Sequence, residues 1–156
     1  MKRYTLTLAA LVVAAAAQAQ VSVKDAWVRA TVPHQKATGA FMQLTAASDA
    51  KLVEVRSSAA GIVEIHEMAM VKDVMKMRAV DVLALPAGKT VELKPGGYHV
   101  MLMDLKGQMK DGDTAALTLV VEGSDGKRQN VEVQAPVRPL NTAAPGAMGH
   151  GQGMKR

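Results

Sequence analysis

Residues 95–103 read PGGYHVMLM, a glycine-containing turn followed by a run whose side chains alternate in character. In an extended strand, successive side chains point to opposite faces, and residues two apart share a face about 7 Å from each other. His99 and Met101 therefore share one face of the predicted strand, while Val100 points to the other. One metal ion can be reached by both the imidazole and the thioether of that face.

Short alternating runs recur along most of the chain and are separated by Gly, Pro and Asp, a pattern typical of an all-β sandwich or barrel. The strongest hairpin signal is Ser124-Asp125-Gly126, which lies between two such runs. No helical periodicity persists outside the first residues. About eight or nine strands are predicted, at residues 21–30, 39–45, 51–56, 62–68, 75–80, 90–93, 98–105, 115–122 and 130–134.

The two ends of the chain differ in composition from this middle part. Residues 1–19 have a basic start, an apolar run and a final Ala17-Gln18-Ala19, which predicts a secretory signal peptide cleaved after Ala19. The β domain is placed at residues 20–140, and residues 141–156 are predicted to be a flexible tail containing Gly, Met and His. We therefore expect one exported domain without a membrane span after cleavage.

The composition favours binding of a soft metal ion. The 156 residues include 11 methionines and 4 histidines but no cysteine. Thioether sulfur selects copper in its reduced state, whereas zinc prefers thiolate, imidazole or carboxylate, and magnesium and calcium prefer oxygen. A blue-copper electron-transfer centre needs a thiolate, so this chain is better suited to holding Cu(I) than to cycling it.

The pattern His-x-Met occurs twice on predicted strands, at His66 and at His99. We interpret His66, Met77, His99 and Met101 as a Cu(I) site, in which the first two residues reach the ion from strands or loops next to residues 98–105. The alternative for any single methionine is packing, because methionine fills irregular gaps in apolar cores. Packing is the preferred interpretation for five other methionines of the domain, Met42, Met70, Met75, Met103 and Met109.

Several other classes of function are not supported. The formal charge of +5 falls to +3 after removal of Lys2 and Arg3, and no basic stripe interleaved with aromatic residues is present, so nucleic acid is not expected as a partner. The sequence has no Ser-His-Asp or Cys-His arrangement, phosphate-binding glycine loop or cysteine pair. We therefore do not expect an enzyme.

The spacing of the four candidate ligands resembles that of the periplasmic copper chaperone family PCuAC. Ten residues separate His66 from Met77, and twenty-one separate Met77 from the His99-x-Met101 pair. The similarity extends to residues 63–68, 85–88 and 95–103 and to Gly112-Asp113. The resemblance implies a cupredoxin-like Greek-key β fold, a periplasmic location and binding of one Cu(I).

The resemblance also implies delivery of copper for assembly of the binuclear copper centre of cytochrome c oxidase. Partners would be the copper-bearing oxidase subunit, a Sco-type thiol copper protein, or both. A secondary site for Cu(II) is expected in the tail at Met148, His150 and Met154. A monomer is expected, with a metal-bridged dimer as an alternative. Two other functions stay open: a periplasmic copper storage or resistance protein without an oxidase client, and a β-sandwich interaction domain whose methionines only pack.

Overall fold

The computed structural model describes residues 20–139 and 141, and within them every regular element is a β-strand. The predicted signal peptide, and the tail apart from Asn141, lie outside the described residues. No helix of the described part is long and apolar enough to cross a membrane. The ten strands are β1 (Val21–Arg29), β2 (Ala37–Ala46), β3 (Ala50–Ser57), β4 (Ala60–Val71), β5 (Val74–Ala79), β6 (Leu83–Leu85), β7 (Thr90–Leu93), β8 (His99–Leu105), β9 (Thr114–Gly123) and β10 (Arg128–Arg138).

The strands form one mixed sheet that folds over on itself without closing. Their order is β5-β4-β8-β2-β1-β10-β9-β3-β6, and β7 pairs with β2 beside this path. The named strand pairings are antiparallel except for a short parallel contact between β1 and β10. β4 lies near one end of this order and β3 near the other, yet the two strands contact each other. The two halves of the sheet therefore face each other. The all-β prediction is confirmed, and the form is an open sandwich.

An apolar core fills the space between the two halves. The inward-facing positions alternate along the strands, as expected for a sheet with one buried face. Each fully buried Leu or Met side chain contributes about 1.5–3 kcal/mol relative to an exposed one. The largest side chains that are fully buried include Met42, Leu44, Leu52, Leu85, Leu102, Leu117 and Leu119, which come from β2, β3, β6, β8 and β9.

The predicted number of strands, about eight or nine, is too low. Each predicted segment overlaps an observed strand, but β6 was missed. Its three residues are too few to show an alternating pattern, although Leu83 and Leu85 are buried and the strand pairs with β3. The hairpin predicted at Ser124-Asp125-Gly126 is confirmed: it joins β9 to β10, and Gly126 adopts a φ of 77°.

A sharp turn at residues 94–98 places β8 where it can contribute to the site. β7 pairs with the second half of β2, and β8 pairs with the first half, so both strands lie along the same edge of β2. The turn between them has Gly96 at a φ of 83°, a conformation that favours glycine. As a result, β8 starts at His99 between β2 and β4.

Candidate metal site

The pairing of β4 with β8 brings the two candidate histidines face to face. His66 lies directly opposite His99, and Glu64 lies opposite Met101. The centroids of the two imidazole rings are 5.8 Å apart, and the ring planes are inclined by 62°. These four side chains share the outer face of the sheet, because residues two apart on a strand point the same way.

The β4–β5 hairpin adds two methionines to this face. Met77 on β5 lies opposite Met68 on β4. Both thioethers line one cavity of about 310 Å³ together with His99 and Met101. The hairpin and β8 therefore bring three of the four predicted ligands into one cavity, with the fourth, His66, in contact with its edge through the ring of His99.

The site is buried on its histidine side and open on its methionine side. His99 is only 5% exposed, and the His66 side chain is 12% exposed. Met77 is 48% exposed, so this thioether is accessible from solvent. An ion bound between the four side chains would therefore meet an incoming partner on the Met77 side.

The turn before β8 determines which nitrogen of His99 is available. Nδ1 of His99 lies 3.0 Å from the carbonyl oxygen of Gly97. A carbonyl oxygen only accepts hydrogen bonds, so Nδ1 carries the proton and donates it. The same carbonyl accepts from the backbone N–H of Met68 at 3.3 Å, which ties the turn to β4. Nε2 of the neutral ring is left with its lone pair.

A carboxylate plays the corresponding part for His66. Nε2 of His66 lies 2.7 Å from Oε2 of Glu64, and a carboxylate accepts, so Nε2 is the protonated nitrogen of the neutral ring. Nδ1 is buried and has no hydrogen-bond partner. A buried polar atom without a partner is costly, by about 1–3 kcal/mol. Its lone pair fits a metal ion, and ligating histidines commonly donate their other N–H to a carboxylate or a carbonyl in this way.

Aromatic rings and one arginine support the floor of the cavity. Phe41 on β2 lies between Trp27 and His99, with ring centroids 4.6 Å from the indole and 6.4 Å from the imidazole. The guanidinium of Arg29 lies over Phe41 at 5.4 Å from the ring centroid. Gly39 makes room for this ring, because a Cβ at that position would lie 2.8 Å from the Cζ atom of Phe41.

A separate polar network lies on the opposite face of the same strands. Glu67 on β4 pairs with Arg78 on β5, directly across the hairpin. The pKa of the Tyr98 phenol lies above its usual value, mainly because of a hydrogen bond from Tyr98 to Glu67 and to a smaller extent because of desolvation. The network joins β5, β4 and the turn before β8, and these three segments also carry the site.

The donor set around the two histidines is completed by thioethers. In the described residues, no three His, Cys, Asp or Glu side chains come together as a metal cluster. Sites for zinc, calcium and magnesium are built from such groups. Two imidazoles and two thioethers instead suit a soft monovalent ion such as Cu(I).

The structure brings His66, Met77, His99 and Met101 together, and their role as ligands stays a prediction. The predicted secondary residues Met148, His150 and Met154 lie outside the described residues. Glu64 and Met68 belong to the surroundings of the site and were not predicted as site residues. Alternation along β4 puts Glu64 on the face of His66, but the hydrogen bond between them depends on side-chain conformation. Arg29 on β1 and Phe41 on β2 were also missed, because their position depends on how β1, β2 and β8 pair.

The packing prediction is wrong for two of the five methionines. Met42 and Met109 are buried, and Met103 is partly buried. Met70 is 63% exposed and Met75 is 46% exposed. The reason is that the β4–β5 hairpin extends beyond the part of the sheet that is covered by the other half, and all six residues of β5 are exposed.

Comparisons with known proteins agree with this architecture. A family model described as "Putative lipoprotein LpqE-like" matches residues 21–137. A protein of Leifsonia xyli subsp. xyli, named "Putative lipoprotein Lxx21020", is 35% identical over 124 residues, which cover 79% of this chain and 72% of that protein. The solution structure of Cu(I)-DR1885 from Deinococcus radiodurans is 37% identical, with a TM-score of 0.56, and the match covers 80% of this chain and 83% of that chain.

A copper-bound PCuAC domain from PmoF2 superposes with a TM-score of 0.61 at 26% identity, covering 76% of this chain and 92% of that domain. The fold is therefore the cupredoxin-like fold of the PCuAC domains. The chain belongs to the LpqE-like family and is a member of the PCuAC type.

Because different acceptors fix the two histidines, we expect opposite tautomers in the metal-free protein at neutral pH. His66 should carry its proton on Nε2 and His99 on Nδ1. Long-range ¹H–¹⁵N correlation spectra of the imidazoles measure this directly. Substitution Glu64→Ala should shift His66 toward the other tautomer and leave His99 unchanged. The control Glu132→Ala removes a carboxylate of β10 whose hydrogen-bond partner is Thr118 on β9, and it should change neither ring. Equal tautomers for the two histidines in the unaltered protein would contradict the assignment.

Proposed function

We propose that this protein is a copper chaperone that binds one Cu(I) through His66, Met77, His99 and Met101. The observation that carries the proposal is the pair of opposed imidazoles, each held by an oxygen acceptor through one nitrogen and leaving the other nitrogen free. Met77 and Met101 line the cavity beside them. The four groups supply the neutral nitrogen and sulfur donors that Cu(I) prefers.

The similar structures support copper as the metal. One is described as the Cu(I) form of DR1885, and another as a copper-bound PCuAC domain. The relatives carry lipoprotein names, which supports export of this chain and agrees with the predicted signal peptide at residues 1–19. We infer a periplasmic location on that basis.

The exposure of Met77 supports a carrier. Four neutral ligands leave the metal's positive charge uncompensated within the first coordination sphere. The carboxylate of Glu64, which is hydrogen-bonded to His66, lies outside that sphere. An acceptor with thiolate ligands would bind the ion more tightly, because soft anionic sulfur adds charge attraction to the same preference. Transfer would begin with displacement of the exposed Met77 thioether, while the buried His99 holds the ion.

The client that we propose is the copper-bearing subunit of cytochrome c oxidase, reached directly or through a Sco-type thiol copper protein. This part of the proposal comes from the family resemblance and from the preference for a thiolate acceptor. Deletion of the gene should lower oxidase activity at limiting copper, and added copper should restore it. Copper sensitivity with normal oxidase activity would contradict delivery and indicate storage or resistance instead.

Anaerobic titration with Cu(I) against a competing chelator tests the main site. We expect one tight equivalent in the full chain, lost in His99→Ala because the buried nitrogen donor is removed. A decrease in affinity of about 100-fold or more corresponds to about 2.7 kcal/mol or more. Substitution His34→Ala is the matched control, since His34 is an exposed histidine in the turn between β1 and β2.

The affinity of the control for Cu(I) should stay within about twofold of that of the unaltered protein, a difference of less than about 0.5 kcal/mol in binding free energy. No tight Cu(I) equivalent in the unaltered protein would contradict the proposed function. Equal losses in His34→Ala and His99→Ala would contradict the assignment of the ligands.

A further inference from the structure

A second pair of methionines lies next to the candidate site on the same hairpin. Met70 on β4 is directly opposite Met75 on β5, two positions beyond the pair of Met68 and Met77. Both side chains are exposed, Met70 by 63% and Met75 by 46%. They therefore do not fill the core, although methionine is most often used for that purpose.

All four thioethers of the hairpin lie on one face. Residues two apart on a strand share a face, and directly opposite residues of an antiparallel pair do as well. Met75 and Met77 therefore point to the face of the histidines, whereas Lys76 and Arg78 point to the other. The methionine face of β5 thus has no cationic side chain that would repel a metal ion.

The spacing suits a shared ion. Cβ atoms of directly opposite residues lie about 4.5–5.5 Å apart, within reach of two flexible thioethers that meet on one ion. The pair formed by Met70 and Met75 lies about 7 Å along the hairpin from the pair formed by Met68 and Met77. Met68 shares a face with Met70, two residues further along β4, and lines the cavity with Met77.

We propose that Met70 and Met75, together with Met68, form a second Cu(I) site made only of thioethers. It binds more weakly than the four-residue site because it has no imidazole donor and is open to solvent. Cu(I) would pass between this site and the four-residue site through Met77, and this step rests on the proposed function. Binding of a soft monovalent ion by the three thioethers does not depend on that function. The site would serve as the position at which copper enters or leaves.

Methyl-resolved NMR tests this proposal in the full chain with ¹³C-methyl-labelled methionine. Cu(I) is added anaerobically in steps, and single Met→Leu variants assign the methyl signals. We expect the first equivalent to shift Met77 and Met101. The second equivalent should shift the methyl groups of Met68, Met70 and Met75.

The double substitution of Met70→Leu and Met75→Leu keeps the apolar bulk and removes two thioethers. It should lower the affinity for the second equivalent by about tenfold or more and leave the first equivalent unchanged. The control is the double substitution of Val71→Leu and Val74→Leu, an exposed cross-strand pair of the same hairpin whose side chains are 39% and 55% exposed. It should retain both equivalents.

A second equivalent that shifts only Met148 or Met154, or no methionine at all, would overturn the proposal. So would an equal loss of the second equivalent in the valine control, which would indicate that the hairpin face acts as an apolar surface. Failure of the proposed function is a different result: the first equivalent would then leave Met77 and Met101 unshifted, whatever happens at Met70 and Met75.

Discussion

The register between β4 and β8, in which His66 lies opposite His99, is the constraint on which the rest of the site depends. Side chains alternate between faces with a period of two, so a slip by one residue would turn His66 into the core and bring Ile65 to the outer face. The apolar residues of both strands oppose such a slip, since Ile65, Val100 and Leu102 are buried in the core. Core packing therefore determines the geometry of the histidine pair.

The same strands connect the site with its support on the other face. Glu67, Arg78 and Tyr98 link β4, β5 and the turn before β8. The turn also supplies the carbonyl of Gly97 that orients His99. The histidine side of the site is therefore hydrogen-bonded and buried, whereas the hairpin with its exposed methionines is open to solvent. This division suits a protein that keeps an ion on one side and exchanges it on the other.

Much of the fold could be predicted from alternation, because the strands pack one face against a common core and expose the other. The run around His99 and Met101 is a clear case, and the hairpin at Ser124-Asp125-Gly126 is another. β6 could not be predicted, because three residues carry no period and the strand exists through its pairing with β3.

The candidate site could likewise be predicted only in part from the sequence. The His-x-Met pattern and the family spacing named the four candidate ligands, but the partner of His66 depends on a side-chain conformation that brings Glu64 to 2.7 Å. Long-range register decides the positions of Phe41 and Arg29 near the cavity. Exposure of Met70 and Met75 depends on how far the hairpin extends past the covered part of the sheet, which composition does not reveal.

The most direct test of the central claim is X-ray absorption at the copper edge for the full chain loaded anaerobically with one equivalent of Cu(I). The structure predicts a first coordination sphere with both imidazole nitrogen and thioether sulfur, in equal numbers. Replacement of methionine by selenomethionine should add selenium scatterers at the copper without altering the nitrogen contribution. A sphere of sulfur alone, or of nitrogen and oxygen alone, would contradict a shared site of His66, Met77, His99 and Met101.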